Sequence, residues 1–240
     1  MSKKVIAFSV WGNNPIYTIG AIKNADLKNQ YFPDWELWVY HDNTVPQEII
    51  TQLQDKKCRT FNYSGRLNQG FAPATWRFLT ASSPEVELFI SRDADSRIGP
   101  RDVSAVKDWV ESGKNIHIIR EHPVGHNWAI NAGMWGCRGG VIPNMEQLVT
   151  NYLASADSRI KEFDQHFLGD VIYPNYATQS SFVHDEFTPS KEPHAVPIKR
   201  DLELDDFAFI GESIDENDND RWEREPGEQR AGIKSYYYAK

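Results

Sequence analysis

Cysteine, methionine and positive charge are all scarce in this 240-residue chain, with 2 Cys, 3 Met and 26 Lys and Arg against 34 Asp and Glu. Cys58 and Cys137 are too few and too far apart for a disulfide framework or a cysteine-rich zinc site. A formal net charge of −8 is the opposite of the basic footprint that binds a nucleic-acid duplex. It leaves nucleotide binding open, because a metal ion can supply positive charge locally. Long apolar runs are missing as well. Lys3-Lys4 precede only Val5–Val10, short of both a signal-peptide core and a membrane span, so a soluble cytoplasmic protein is expected. No repeat or low-complexity linker interrupts the chain, and one domain over residues 1–240 is expected. Finally, no Gly-rich basic loop follows the first apolar run. Trp11-Gly12-Asn13-Asn14 is neither, which weighs against nucleotidyl transfer.

Aromatic residues, by contrast, are plentiful: 8 Trp, 10 Tyr and 12 Phe. They suffice for a core in a chain that can bury roughly 70–75% of its unfolded surface. Any left exposed can stack on sugars or bases. The stretch Val86–Ile98, V-E-L-F-I-S-R-D-A-D-S-R-I, organises the rest. Val86–Ser91 reads as a buried strand, and Asp93 and Asp95 follow its end. Ligands of open α/β sheets bind at the carboxyl ends of strands. Paired carboxylates there suit a hard divalent cation whose shell substrate phosphates complete. Asp218-Asn219-Asp220 repeats the spacing with no strand before it.

Along the chain, Val5–Val10 is expected to be the first strand. Asn14 caps the helix that follows, with Pro15 at its first position, and the helix stops near Tyr31–Pro33. Trp35–His41 reads as the second strand. Thr44, with Gln47 in the capping-box position, is expected to start a helix to Gln54. Arg59–Tyr63 is a third strand, Pro73–Ala81 is helical, Arg101–Ser112 is a helix ended by Gly113, and Ile116–Arg120 is a strand. Strands alternating with helices predict a Rossmann-like, mainly parallel sheet. His122-Pro123-Val124-Gly125-His126 reads as a polar loop. The glycines of Trp128–Gly140 read as turns or as places of close backbone approach to a ligand. Asn144 caps a helix to about Ser155, Phe163–Ile172 is a short helix, and Ser181–His184 is a strand. Beyond Lys191 patterning is weak. Asp215–Asp220 imitates a calcium loop but has Asp220 where the sixth-position glycine belongs and Pro226 where the twelfth-position glutamate belongs, so it reads as a solvated segment.

Five pieces fall in order: A-T-W-R-F-L (Ala74–Leu79), F-I-S-R-D-A-D-S (Phe89–Ser96), I-N-A-G-M (Ile130–Met134), D-Q-H-F-L (Asp164–Leu168) and V-H-D (Val183–Asp185). Together, over roughly residues 5 to 193, they resemble GT-A-fold glycosyltransferases. The glycogenin and bacterial galactosyltransferase type is the most similar, along with related viral and bacterial glycosyltransferase-like proteins. The resemblance implies a single α/β domain: a nucleotide-binding half over 1–120, a metal and acceptor half over 121–193, and an irregular tail over 194–240. It implies a nucleotide-sugar donor, a UDP-sugar by preference, and a carbohydrate or other hydroxyl acceptor. Mn²⁺ (or Mg²⁺) would bridge the diphosphate. Asp93 and Asp95 match the metal-binding pair, and His184 matches the histidine that completes it, an imidazole that favours manganese. Ser9, Trp11, Arg77, Asp93, Asn131, Gly133 and Lys191 fall at donor-binding positions, and Arg92, which the glycogenin pattern does not explain, is added as a donor-binding candidate that could neutralise phosphate or the acidic loop itself. For Arg77 two roles stay open, a fork onto phosphate or a clamp on a carboxylate of the metal loop. Asp164 and Gln165 match the pair near the reacting anomeric carbon, and retention of configuration is expected. The chain departs from the family's His-x-x-Gly-x-x-Lys-Pro-Trp ending: the glycine is missing and Lys191 comes one residue late. The competing readings are a non-catalytic nucleotide-sugar or carbohydrate-binding protein and, further off, a nucleotidyltransferase.

Overall fold

Apolar residues alternate across both faces of the first strand, and the sheet is accordingly covered on both sides. Val5 and Ala7 pack into one core, Ile6, Phe8 and Val10 into the other. A strand buried on both faces belongs in the middle of a parallel α/β sheet, and β1 (Lys3–Val10) is flanked by β2 (Glu36–His41) and β4 (Val86–Ser91), parallel to both. The computed structural model describes residues 2–188, 192–201, 206–221 and 228–238. Seven strands form one sheet in the order β3-β2-β1-β4-β6-β5-β7, with β3 at Arg59–Asn62, β5 at Ile116–Arg120, β6 at Trp135–Arg138 and β7 at Ser181–Asp185. Of these seven strands β6 alone runs antiparallel, between β4 and β5, among the described residues. The expected α/β domain with a mainly parallel sheet is what the chain forms.

Helices α1 (Pro15–Tyr31), α2 (Gln47–Asp55) and α3 (Pro100–Ser112) cover one face, through a core that includes Ile22, Leu53 and Trp109. The other face carries a 3₁₀ helix (Ala72–Ser82), α4 (Met145–Leu153), α5 (Phe163–Phe167) and a π-helical segment (Leu168–Ala177), around Trp76, Phe78, Phe89 and Trp135. Asn14 and Asn144 cap α1 and α4 as expected, accepting from the Ile16 and Gln147 amides. Thr44 does not cap α2, which starts after Pro46. Its hydroxyl instead accepts from the Gly12 amide at 2.6 Å, tying α2's approach to the end of β1.

Other expectations need correction. Residues 128–140 are not all loop: Trp135–Arg138 is a strand whose Gly136 leaves no room for a Cβ, which would lie 2.4 Å from the Phe89 carbonyl. The glycine there serves strand packing. His122 and His126 are buried against Phe209 rather than solvated. The tail contains α6 (Glu228–Tyr238), and Ile233 joins Phe207 and Phe209 in a small core of its own. Cys58 and Cys137 are both buried free thiols. Among the described residues, no helix is long and apolar enough to cross a membrane.

Candidate functional site

The sheet order reverses at β1, with β2 and β3 on one side and β4 onward on the other. The crevice at the C-terminal ends of β1 and β4 is the place where such sheets take ligands. A cleft of about 600 Å³ opens there, within the size range of small-molecule sites. Its walls are the turn after β1 (Ser9, Trp11, Asn13, Asn14), Tyr17, Phe71, Arg77, Asp93, Asp95, Lys161, Asp164 and Gln165.

Arg77 is the hub. It is 4% exposed, and its backbone amide is held by the Ser9 hydroxyl at 2.9 Å. The guanidinium donates to Asp93, to the Arg92 carbonyl at 2.8 Å and to Asp164 Oδ2 at 3.1 Å. Burial works against its charge, but Asp93, Asp164 and Asp95 outweigh burial and raise its pKa. Of the two roles the sequence leaves open for Arg77, the structure displays the carboxylate clamp.

Burial also pushes the Asp164 carboxyl up to about 6, with Arg77 opposing and Asp93 adding to the rise. Asp95 is raised as well, by burial first and then by the neighbouring Asp93. Burial is the larger cause for both, and a cation bound in the cleft would favour the charged forms that burial opposes. Gln165 accepts from the Ala132 amide at 3.3 Å, leaving its NH₂ as the group it can offer a ligand.

Asn131 and Gly133 lie just behind these groups rather than on the wall. Asn131 donates to the Ile119 carbonyl, and a Cβ on Gly133 would fall 1.8 Å from Asp93 Oδ2. Gly133 therefore sets where the Asp93 carboxylate stands. Trp11 is partly exposed and meets Trp76 edge-on, with ring centroids 6.5 Å apart.

Two expected residues are not brought to the cleft. Arg92 turns inward, its Nε 2.7 Å from Asp102 at the start of α3, where it holds a helix rather than a phosphate. His184 lies on the α3 face of β7, 3.0 Å from His117 and 3.5 Å from Asp108, and burial lowers its pKa to about 4. Lys191 lies outside the described residues.

Two supports carry no sequence signal. Asn24, buried on α1, donates to the Ser96 carbonyl at 2.7 Å and accepts from the Ile98 amide at 3.0 Å. Gly20, one turn earlier, leaves no room for a Cβ, which would lie 2.1 Å from the Ala94 carbonyl. Small and polar residues inside a helix read as ordinary in sequence, yet these two seat the Asp-x-Asp loop on α1. Lys161, an exposed residue on the cleft wall, was also unmarked.

Among the described residues no group of three His, Cys, Asp or Glu side chains is arranged for a metal. The donor type nevertheless fits a hard cation: two carboxylates face one cleft, and further ligands would be substrate oxygens and water. With His184 elsewhere, the preference for manganese over magnesium loses its imidazole.

No family model matches the chain, and no curated protein does. Solved structures do. One is glucosyl-3-phosphoglycerate synthase from Mycobacterium tuberculosis in complex with Mn²⁺, UDP-glucose and phosphoglyceric acid, at 13% identity and TM-score 0.49, covering 84% of this chain and 73% of that one. Another is a mannosyltransferase from Pyrobaculum calidifontis in complex with GDP-mannose and Mn²⁺, at 11% identity and TM-score 0.47, covering 77% of this chain and 55% of that one. A third is 4-diphosphocytidyl-2C-methyl-D-erythritol synthase from Anaerococcus prevotii, at 13% identity and TM-score 0.47, covering 78% and 90%. The likeness is one of fold. Function has to be argued from the side chains of the cleft.

Proposed function

We propose that this protein is a metal-dependent glycosyltransferase, moving a sugar from a nucleoside diphosphate sugar, a UDP-sugar by preference, to a hydroxyl acceptor. The observation that carries this reading is the Asp93–Arg77–Asp164 network. It joins the paired carboxylates of the β4 end to the Asp164-Gln165 pair across one cleft at the sheet's switch point. Asp93 and Asp95 would hold the divalent cation, which when bound serves as a Lewis acid on the departing diphosphate. Trp11 adds an aromatic side chain to the cleft wall.

Transfer needs a bond from the acceptor oxygen to the anomeric carbon and cleavage of the bond from that carbon to the diphosphate oxygen, which leaves with the electron pair. In a retaining reaction the acceptor proton passes to that departing oxygen on the same face. Gln165 would then orient the sugar, while Asp164, clamped by Arg77, would act by charge and position. In an inverting reaction Asp164 would take the proton instead. Retention is the proposal on the resemblance to retaining enzymes alone, since a carboxyl raised to about 6 is chemically able to serve as the base of an inverting reaction. Nucleotidyl transfer finds no support in the turn after β1, where residues 9–14 include no Lys or Arg.

The test is calorimetry of UDP binding with Mn²⁺ and with chelator. UDP should bind tightly only with metal, and saturation at 100-fold over the dissociation constant should add about 2.7 kcal/mol of stability. Identical affinity in chelator would remove the metal bridge. Hydrolysis or transfer products from a UDP-sugar panel, with the anomeric configuration read by NMR, then decide between retention and inversion.

A further inference from the structure

The second carboxylate of the pair already has a cationic partner, and it comes from the tail. Arg221 Nη1 lies 3.0 Å from Asp95 Oδ2, and the Ser213 hydroxyl donates to the same oxygen at 3.3 Å. The backbone is stitched down beside them: the Ile214 amide donates to the Asp95 carbonyl at 2.8 Å, and the Arg221 amide to the Ser213 carbonyl at 3.0 Å. Lys23 and Arg97 anchor the intervening turn through Asp218, at 2.5 and 2.8 Å. The segment 213–221 is therefore a strap across the Asp-x-Asp loop. Both lone-pair directions of Asp95 Oδ2 are in use, so another ligand to that oxygen has to replace one of these donors.

Resting on the glycosyltransferase reading, we propose that Arg221 and the divalent cation are alternative partners of the Asp95 carboxylate, so that Arg221 positions Asp95 and yields it when metal enters. The guanidinium is the partner built to leave. It is 24% exposed and held to Asp95 by a single contact, whereas Arg77 is buried and bound at three points. Released beside the cleft, the same guanidinium is a fork suited to phosphate oxygens. Binding of cation and docking of the strap then oppose each other through one carboxylate, and linkage makes the effect reciprocal.

The experiment titrates Mn²⁺ by calorimetry into the natural protein, Arg221→Gln and Arg221→Lys, without nucleotide. It also follows hydrogen exchange of the Arg221 amide with and without Mn²⁺. Arg221→Gln should bind Mn²⁺ about 2- to 5-fold more tightly, the factor expected for removing one partly buried ion pair. Arg221→Lys should return most of the way to the natural affinity. In the natural protein, saturating Mn²⁺ should speed exchange at Arg221. Unchanged or weaker Mn²⁺ binding in Arg221→Gln overturns the proposal, as does exchange that Mn²⁺ leaves unaltered, which would mean the metal uses other oxygens. If neither the natural protein nor Arg221→Gln binds Mn²⁺, alone or with UDP, the metal-dependent reading itself falls and this one with it.

Discussion

Asp164 is a carboxylate whose folded environment favours the proton, and that has a measurable sign. Its pKa of about 6 lies above the ordinary 3.8. The protonated form therefore contributes stability that is complete below about pH 4 and lost as pH rises through 6. Ionising it at neutral pH costs about 2–3 kcal/mol. Asp164→Asn has nothing to ionise, so its stability relative to the natural protein should improve by that amount between about pH 4.5 and 7.5. Urea unfolding at both pH values checks this, and a difference that does not change with pH would show that Arg77 neutralises Asp164 fully. Gly133 gives a second residue-scale expectation. A methyl group there cannot coexist with the Asp93 carboxylate in its Arg77-bound position. Gly133→Ala should fold, yet weaken Mn²⁺-dependent UDP binding by roughly tenfold or more, the scale seen when a metal ligand's support is disturbed. Unaltered binding would mean that Asp93 can hold its ligand from another rotamer.

Among the elements, α1 carries more of the site than its sequence declares. Asn24 satisfies one carbonyl and one amide of the loop after Asp95, both buried. Asn24→Ala leaves them unpaired and should cost about 2–4 kcal/mol, counting about 1–3 for each orphaned group with partial relief from water. A melting temperature within a degree of the natural protein's would refute that. What was legible in the sequence follows the same physics. Val86–Ser91 and Ile116–Arg120 were readable to the residue because each holds a compact apolar stretch, Leu88-Phe89-Ile90 and Ile118-Ile119, that packs on both faces of the sheet. Asp93 and Asp95 were readable because they follow such a strand. β6 was not, since Trp135-Gly136-Cys137-Arg138 is short and its glycine is there for its neighbours' carbonyls. His184 was misplaced by order along the chain: it does lie near a strand end, but alternation along β7 puts Val183 on the face of the 3₁₀ helix and turns His184 toward α3. Arg221 could not be seen at all. Its partner is 126 residues away, and nothing local marks it.

At the scale of the whole molecule, the expected division at residue 120 is a boundary in chain order, and the sheet crosses it. β5 pairs with β6 and β7, both contributed by later sequence, and β6 is what joins β5 to β4. Arg120 adds a buried ion cluster across the same boundary, contacting Asp185 at 3.0 Å and Glu192 at 2.6 Å. A fragment of residues 1–120 would hold β5 without either neighbour and Arg120 without its carboxylates, an uncompensated buried charge. It should melt without a cooperative transition by calorimetry, whereas the full chain should show one. A sharp, reversible transition in the fragment would mean the first half folds by itself.

The two thiols open a practical route to the strap. Cys58 is pushed up to about 11 by burial, and Cys137 is raised further by burial alone. Thiolate is the reactive form, so the folded protein should be nearly silent toward maleimide dyes while the unfolded protein reacts twice. A single cysteine placed on the exposed turn of the strap, as Asn217→Cys, would then carry the only label. A fluorophore at that point turns the tail into an optical gauge, able to follow in real time, molecule by molecule, whether a cation entering the cleft moves the strap.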